Sequence, residues 1–175
     1  SYNHRPFRIY RKRNGVGNPS NSSIKKIIDS YLKLKTGAKI NIGLRILSQR
    51  KDGYHNILTV FQELKYGDEL RIRKLDRECQ FSSNLDWLKN DYTNLCVQTW
   101  IKMKKLFPTI KGVDIKLKKQ IPTGAGLGGG SSNAAGIIKG LNTLYKLNLT
   151  ETQMKSIALS LGSDVSFFIK GGTQQ

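Results

Sequence analysis

Residues 121–135 read Ile-Pro-Thr-Gly-Ala-Gly-Leu-Gly-Gly-Gly-Ser-Ser-Asn-Ala-Ala. Glycine has no Cβ, so a run of glycines lets several backbone N–H groups approach one anion, and a helix starting just behind it adds the positive end of its dipole. The chemistry such a segment suits is the holding of a phosphate, most simply that of a nucleotide. Two familiar loops of this kind do not fit. Gly124-x-Gly126-x-x-Gly129 matches a dinucleotide-binding string, and Glu151 follows at about the expected twenty residues. Glu151, however, sits in Thr150-Glu-Thr-Gln153, a capping box that opens a helix, where the dinucleotide fold needs the end of a second strand. No Gly-Lys-Ser/Thr follows the glycines, which removes the Walker A loop. A glycine turn that serves only close packing is the remaining alternative.

The flanks say what must position the loop. Val113, Ile115 and Leu117 alternate with charged residues as on a half-buried strand, and Pro122 ends that strand by removing a donor. Behind the glycines, Ser131 or Ser132 can cap a helix in which Ala134, Ile137, Ile138, Leu141, Leu144 and Tyr145 recur at helical spacing. Upstream, Ile40, Ile42, Leu44 and Ile46 alternate as a strand beginning at Ala38, followed by a polar Asp52-Gly53 turn. Residues 57–64 and 69–74 read as two further strands joined by a turn at Tyr66-Gly67-Asp68. A helix is expected over about 91–107, with Leu95, Cys96, Trp100, Met103 and Phe107 inward and Pro108 just beyond. The capped helix runs over 151–161 with Gly162 as its C-cap, and residues 165–169 read as a last strand. Lys39 and Asn41 are two apart, so on a strand their side chains share a face.

The chain has 175 residues, enough for one domain with a real core, and a formal net charge of +18. Such charge raises nucleic acid as a partner, but the cations look scattered, without the aromatic interleaving of RNA-binding sheets or a helix-turn-helix pattern. A solvated basic surface that attracts anionic substrates is the reading preferred here. No apolar run approaches the roughly twenty residues of a membrane span. Cys79 and Cys96 are spaced for neither zinc nor a redox pair, and Cys96 reads as a small core residue. Residues 1–30, rich in Arg, Asn and Ser, read as a basic, largely disordered or targeting extension ahead of one domain over 31–175. Within the start, Ile24, Ile27, Ile28, Tyr31 and Leu32 allow a short amphipathic helix over 24–34.

Three segments together, Lys39-Ile-Asn41, the glycine loop, and Gly162-Ser-Asp164-Val, resemble the motifs of the GHMP small-molecule kinases. Asp52-Gly53-Tyr54-His55, the glycine string and Asp164-Val-x-Phe-Phe are similar to the branch that acts on a cytidine-diphosphate-linked methylerythritol. The likeness runs from about Ala38 to Gly172. It implies an α+β fold of the ribosomal protein S5 domain 2 type, an antiparallel or mixed sheet with helices on one face. It also implies transfer of the γ-phosphoryl of ATP, with Mg²⁺, to the 2-hydroxyl of the methylerythritol unit, in non-mevalonate isoprenoid synthesis. Under the resemblance Lys39 and Asp164 are catalytic, Asn41 holds the substrate near its reacting hydroxyl, Tyr54 stacks on the cytosine and His55 meets the base edge. ATP falls to Pro122, Thr123, Gly124, Ala125, Gly126, Leu127, Gly128, Gly129, Gly130, Ser131, Ser132 and Asn133. Homoserine or mevalonate kinases of the same superfamily, and a basic nucleic-acid-binding module on an S5-like fold, are the rivals. The partners expected are ATP and the small-molecule acceptor, without nucleic acid or a membrane span, in a homodimer when full length. The expected location is the cytoplasm, or a plastid if the basic start is a transit peptide. Two departures stand out: Ser166 replaces a common proline, and the family continues through a further domain, so these 175 residues are expected to be inactive alone.

Overall fold

The structure, a computed structural model, describes residues 30–49, 53 and 55–174, and only the backbone of residues 44, 46 and 55–57. The expectations for residues 1–29, Asp52 and Tyr54 lie outside the described residues. The elements belong to a unit running from Tyr31 to Gln175. In chain order they are β1 (Leu32–Gln49), β2 (His55–Leu75), β3 (Cys79–Ser83), α1 (Leu95–Leu106) and β4 (Gly112–Lys118). They continue with α2 (Gly129–Tyr145), α3 (Glu151–Leu159), α4 (Ser163–Lys170) and a short β5 (Thr173–Gln174). The sheet order is β1-β2-β4-β3, antiparallel except that β3 runs parallel to β4, and β5 pairs with β2. This is the expected α+β class with a mixed sheet.

Strand β1 starts earlier than the apolar alternation suggested, and residues 32–34 are strand, not the end of an amphipathic helix. The reason is period two: Leu32 and Leu34 pack on the core while Lys33 and Lys35 are exposed, and each is fixed opposite a β2 residue. Farther along, Ile40 and Ile42 alternate as expected but lie 37% and 51% exposed, so their row is the outer one.

The turn expected at Tyr66-Gly67-Asp68 does not form, and β2 runs on through it. Gly67 sits opposite Gly37, and the register then jumps so that only Ala38 of β1 answers residues 64–66 of β2, which is a bulge. Gly67 is glycine because the two backbones touch there: a Cβ would lie 2.3 Å from the Thr36 carbonyl oxygen. Gly67→Ala should therefore force β1 and β2 apart, at a cost of about 1–3 kcal/mol. A lowered urea midpoint would register it, and an unchanged midpoint would show that the strands can part freely.

The core lies between the inner sheet face and the helices. Leu70, Ile72, Val113 and Ile115 are fully buried against Ala134, Ile137, Ile138 and Leu141 of α2, each large aliphatic contributing about 1.5–3 kcal/mol. Helix α1 is capped by Asn94, whose Oδ1 accepts from the Cys96 N–H at 2.9 Å, and it buries Cys96, Trp100 and Met103 as its spacing predicts. Helix α3 opens on the predicted Thr150–Gln153 capping box but ends at Ser160. Gly162 is the N-cap of α4, not the C-cap of α3. The last expected strand, 165–169, is the helix α4, with Val165, Phe167, Phe168 and Ile169 buried. A five-residue apolar run has no readable period when nearly every side is covered. Strand β3 was not anticipated, because Cys79-Gln-Phe-Ser-Ser is short and only Cys79 and Phe81 pack inward. Burial pushes the thiols of Cys79 and Cys96 up to about 12, so neither is a nucleophile near neutral pH. Among the described residues no helix is long and apolar enough to cross a membrane.

Candidate active site

Past β4 the chain turns through residues 119–128 into α2. Gly124, Gly126 and Gly128 have φ of +74°, +71° and +68°, alternating with Ala125 and Leu127. That alternation of left-handed with ordinary residues turns backbone N–H groups toward one side and makes an anion-binding concavity. A Cβ on Gly124 or Gly126 would meet nothing within 4 Å, so glycine is needed there for its φ alone. At Gly128 crowding adds to φ, since a Cβ would lie 2.9 Å from Phe168 and 3.0 Å from the Lys39 stem. The loop borders a cavity of about 350 Å³, with Leu95 and Lys119 on its walls.

Helix α2 begins at this cavity with Gly128 as N-cap and no side-chain cap. The serines expected to cap it lie inside the first turn instead: Ser131 is half-buried and Ser132 is 3% exposed. An uncapped start leaves helix N–H groups available to an anion. Asn133 is 2% exposed and its amide is spent within the protein. Its Oδ1 accepts from Lys119 Nζ at 3.1 Å, and its Nδ2 donates to Thr36 Oγ1 at 2.8 Å and Asp68 Oδ2 at 2.9 Å. It thus differs from the phosphate contact expected of it and holds the loop from beneath.

The centre of that support is Asp68, whose neighbours Tyr66 and Gly67 suggest a turn between strands. Asp68 is 0% exposed. Its Oδ1 accepts the backbone N–H groups of Gln120 and Ile121 at 2.6 and 2.8 Å, and its Oδ2 pairs with Lys119. Asn84 completes the clamp, accepting the Lys119 N–H and donating to the Lys119 carbonyl. The available signal was parity. Asp68 shares the inward phase of Leu70 and Ile72, and Lys119 that of Val113, Ile115 and Leu117.

Facing the loop from β1 is Lys39, 8% exposed although charged. Its backbone N–H donates to the Leu127 carbonyl at 2.9 Å, so the strand is stitched to the glycine loop. Its Nζ donates to Asn41 Oδ1 at 2.8 Å, lies 3.6 Å from Asp164 Oδ2, and stands 5.0 Å from the centroid of the Phe61 ring. The shared face of Lys39 and Asn41 is as their spacing predicts. Asp164 is in the first turn of α4, where a carboxylate complements the helix dipole, and 38% of its side chain reaches solvent. Phe167 and Phe168 of the same helix pack beneath, with Phe167 against Phe61. The structure thus joins Lys39, Asn41, Asp164 and the loop. It does not bring the backbone of His55 beside them: His55 pairs with Gln49 at the loop end of the β1–β2 hairpin, whereas the Asn41–Phe61 pair lies midway along the ladder. A partly accessible carboxylate beside a buried ammonium, at the edge of a phosphate cradle, can align a hydroxyl and neutralise charge on a transferring phosphoryl group.

Residues 94–172 match the family described as the GHMP kinases N terminal domain. The 4-diphosphocytidyl-2-C-methyl-D-erythritol kinase of Clostridium beijerinckii is 41% identical over 142 residues, 81% of this chain and 51% of that protein. The protein of the same name from Bacillus pumilus is 42% identical over 140 residues, 79% of this chain and 48% of that protein. A crystal structure of 4-(cytidine 5'-diphospho)-2C-methyl-D-erythritol kinase superimposes with a TM-score of 0.70 at 32% identity, covering 79% of this chain and 49% of that one. The homoserine kinase of Cytophaga hutchinsonii, with a TM-score of 0.64 at 16% identity over 91% of this chain and 50% of that one, shares the fold. The chain spans about half the length of the curated relatives it matches.

Proposed function

We propose that this chain is the nucleotide-binding half of a kinase that transfers the γ-phosphoryl group of ATP to the 2-hydroxyl of 4-(cytidine 5'-diphospho)-2-C-methyl-D-erythritol, in non-mevalonate isoprenoid synthesis. The observation that carries it is Lys39, held between Asp164 and Asn41 while its own backbone is bonded to the glycine loop. The loop and the uncapped start of α2 hold the phosphates through backbone N–H groups. The bland alternative, a turn glycine-rich only for packing, does not explain Gly124 and Gly126, where a Cβ would have open space. Asp164 orients the acceptor hydroxyl and takes its proton, and Lys39 offsets charge building on the phosphoryl oxygens. Asn41 fixes the acceptor beside them. Mg²⁺, arriving with ATP, would screen the charge of its phosphates. In this reading the protein works in a soluble compartment.

Tyr54 and His55 are assigned the cytosine, by their match to the family motif and by a substrate whose base and reacting hydroxyl lie at opposite ends. Tyr54→Ala should raise the KM for the cytidine substrate roughly tenfold, the loss of about 1–3 kcal/mol of stacking, and leave the KM for ATP unchanged. A parallel rise in both would remove Tyr54 from the acceptor site.

The reading is tested with protein of the relatives' full length, by following ADP release with three acceptors. Turnover is expected with the cytidine substrate and not with homoserine or mevalonate. Turnover with either of those, and none with the cytidine substrate, would overturn the assignment of the acceptor while leaving the class intact.

A further inference from the structure

The cations that look scattered in sequence are gathered by strand register onto one surface. Helices cover the inner face of the sheet, and among the described residues no element packs on the outer face. Across that outer face Lys33 of β1 stands opposite Arg71 of β2, Arg71 opposite Lys116 of β4, and Lys116 opposite Ser82 of β3. Like charges directly opposite one another weaken a sheet, and no acid interrupts this row. The next row is Lys35, Glu69 and Lys118, in which Glu69 is already shared between Arg71 at 3.6 Å and Lys118 at 4.0 Å. On the other side Asp114 is engaged by Arg73 at 2.9 Å and by the Tyr31 hydroxyl. The Tyr31 ring is itself flanked by Arg73 and Lys116 at 4.8 and 4.9 Å. Both acids are thus committed. The side chains of Arg71 and Lys118 remain 49% and 61% exposed. A shallow groove of about 300 Å³ lies along Arg71, Ser82, Ser83, Asn84 and Lys116.

We propose that this outer face is a docking surface for a single-stranded nucleic acid, held by its phosphodiester backbone without regard to sequence. Neighbouring strands set cations about 4.8 Å apart and alternate residues along a strand about 6.7 Å apart, a grid on which a flexible phosphate chain can step from cation to cation. The rows hold cations, hydroxyls and paired acids. The exposed Ile40 and Ile42 lie farther along β1, beyond the bulge at Ala38, so these rows themselves hold no exposed aliphatic anchor of the kind central to most protein interfaces, whereas nucleic-acid interfaces are polar and strongly basic. The Tyr31 ring is already engaged by Arg73 and Lys116 and its hydroxyl by Asp114, so the contact proposed is to backbone. The surface is composed of residues other than Lys39, Asp164 and the glycine loop, and its use does not depend on the kinase reaction.

The test is fluorescence anisotropy of a labelled 20-nucleotide oligouridine with the full chain at several salt concentrations. Three proteins are compared: wild type, K33E/R71E/K116E on the outer face, and K89E/K105E/K111E, which has the same charge change elsewhere. Wild type is expected to bind with a steep salt dependence. The outer-face variant should bind roughly 30-fold more weakly at low salt, with the log–log slope smaller by about 2, as expected for losing three single-strand contacts. The control variant should bind within about threefold of wild type, the residual effect of net charge alone. Equal losses in the two variants would show diffuse attraction only and overturn the proposal. So would absence of binding by wild type, or polyglutamate displacing the oligonucleotide as well as unlabelled oligouridine does. Circular dichroism melts of all three proteins separate these outcomes from unfolding.

Discussion

Asp164→Ala should lower kcat by a factor of about 10² to 10⁴, the range for removing a positioned general base, while the affinity for ATP stays within about twofold. The split follows from geometry. Asp164 reaches the site from the first turn of α4, and its ion-pair partner there is Lys39 at 3.6 Å. The glycine loop is held by other groups, namely Asp68, Asn133 and the Lys39 backbone. Cutting away the carboxylate therefore removes the hydroxyl's partner and leaves the phosphate cradle supported. Lys39 Nζ keeps Asn41 as a hydrogen-bond acceptor and Phe61 beneath it, so the ammonium is not stranded. Steady-state phosphorylation and equilibrium titration with a fluorescent ATP analogue, both on protein of the relatives' full length, separate the two quantities. A loss of ATP affinity equal to the loss of kcat would make Asp164 a support of the loop and not a group that meets the acceptor.

Asp68→Ala should destabilise the fold by about 3–5 kcal/mol, the cost of breaking a buried ion pair from one side. Asp68 is wholly buried, and the side chain of its partner Lys119 is 4% exposed. Removing the carboxylate takes the counter-charge from that buried ammonium, which keeps only the neutral Asn133 Oδ1 among the acceptors described, and also orphans the N–H groups of Gln120 and Ile121. The double variant D68A/K119M should be more stable than D68A alone, because the uncompensated charge leaves with the lysine. Urea unfolding followed by circular dichroism measures both. A cost below about 1 kcal/mol for D68A would mean that water replaces the carboxylate, and that the loop does not depend on it.

What was legible in the sequence had a local physical signature. The glycine loop announces itself by composition, the Thr150–Gln153 box by spacing, and the shared face of Lys39 and Asn41 by strand parity, and each of these is as expected in the structure. Asp164 was legible only through its motif, since a single acid followed by an apolar run fits a strand as well as a helix. Its helix was therefore missed, and burial of four of the eight α4 residues is the reason. Tyr66-Gly67-Asp68 misled for a different reason. Glycine and aspartate at adjacent positions are the ordinary signal of a turn, but here one allows two backbones to touch and the other enters the core. Both roles are set by partners distant in the chain, Thr36 for the first and Lys119 and Asn133 for the second. The outer cation rows were hidden in the same way: register, not sequence order, brings Lys33, Arg71 and Lys116 together.

The bond from the Lys39 amide to Leu127 also bears on the order in which the molecule is made. The links that support the loop join distant positions: Lys119 and Asp68 are 51 residues apart, and Asn133 and Thr36 are 97 apart. Contacts of such separation are reached only after large loops have been closed, so they form slowly and late. On a ribosome adding about 5–20 residues per second, β1 emerges on the order of ten seconds before its loop exists. For that interval the Lys39 amide and the Asp68 carboxylate are without their native partners. The earliest segment of the site is thus the last to be satisfied, and amide exchange at Lys39 marks the moment when a nascent chain acquires its phosphate cradle.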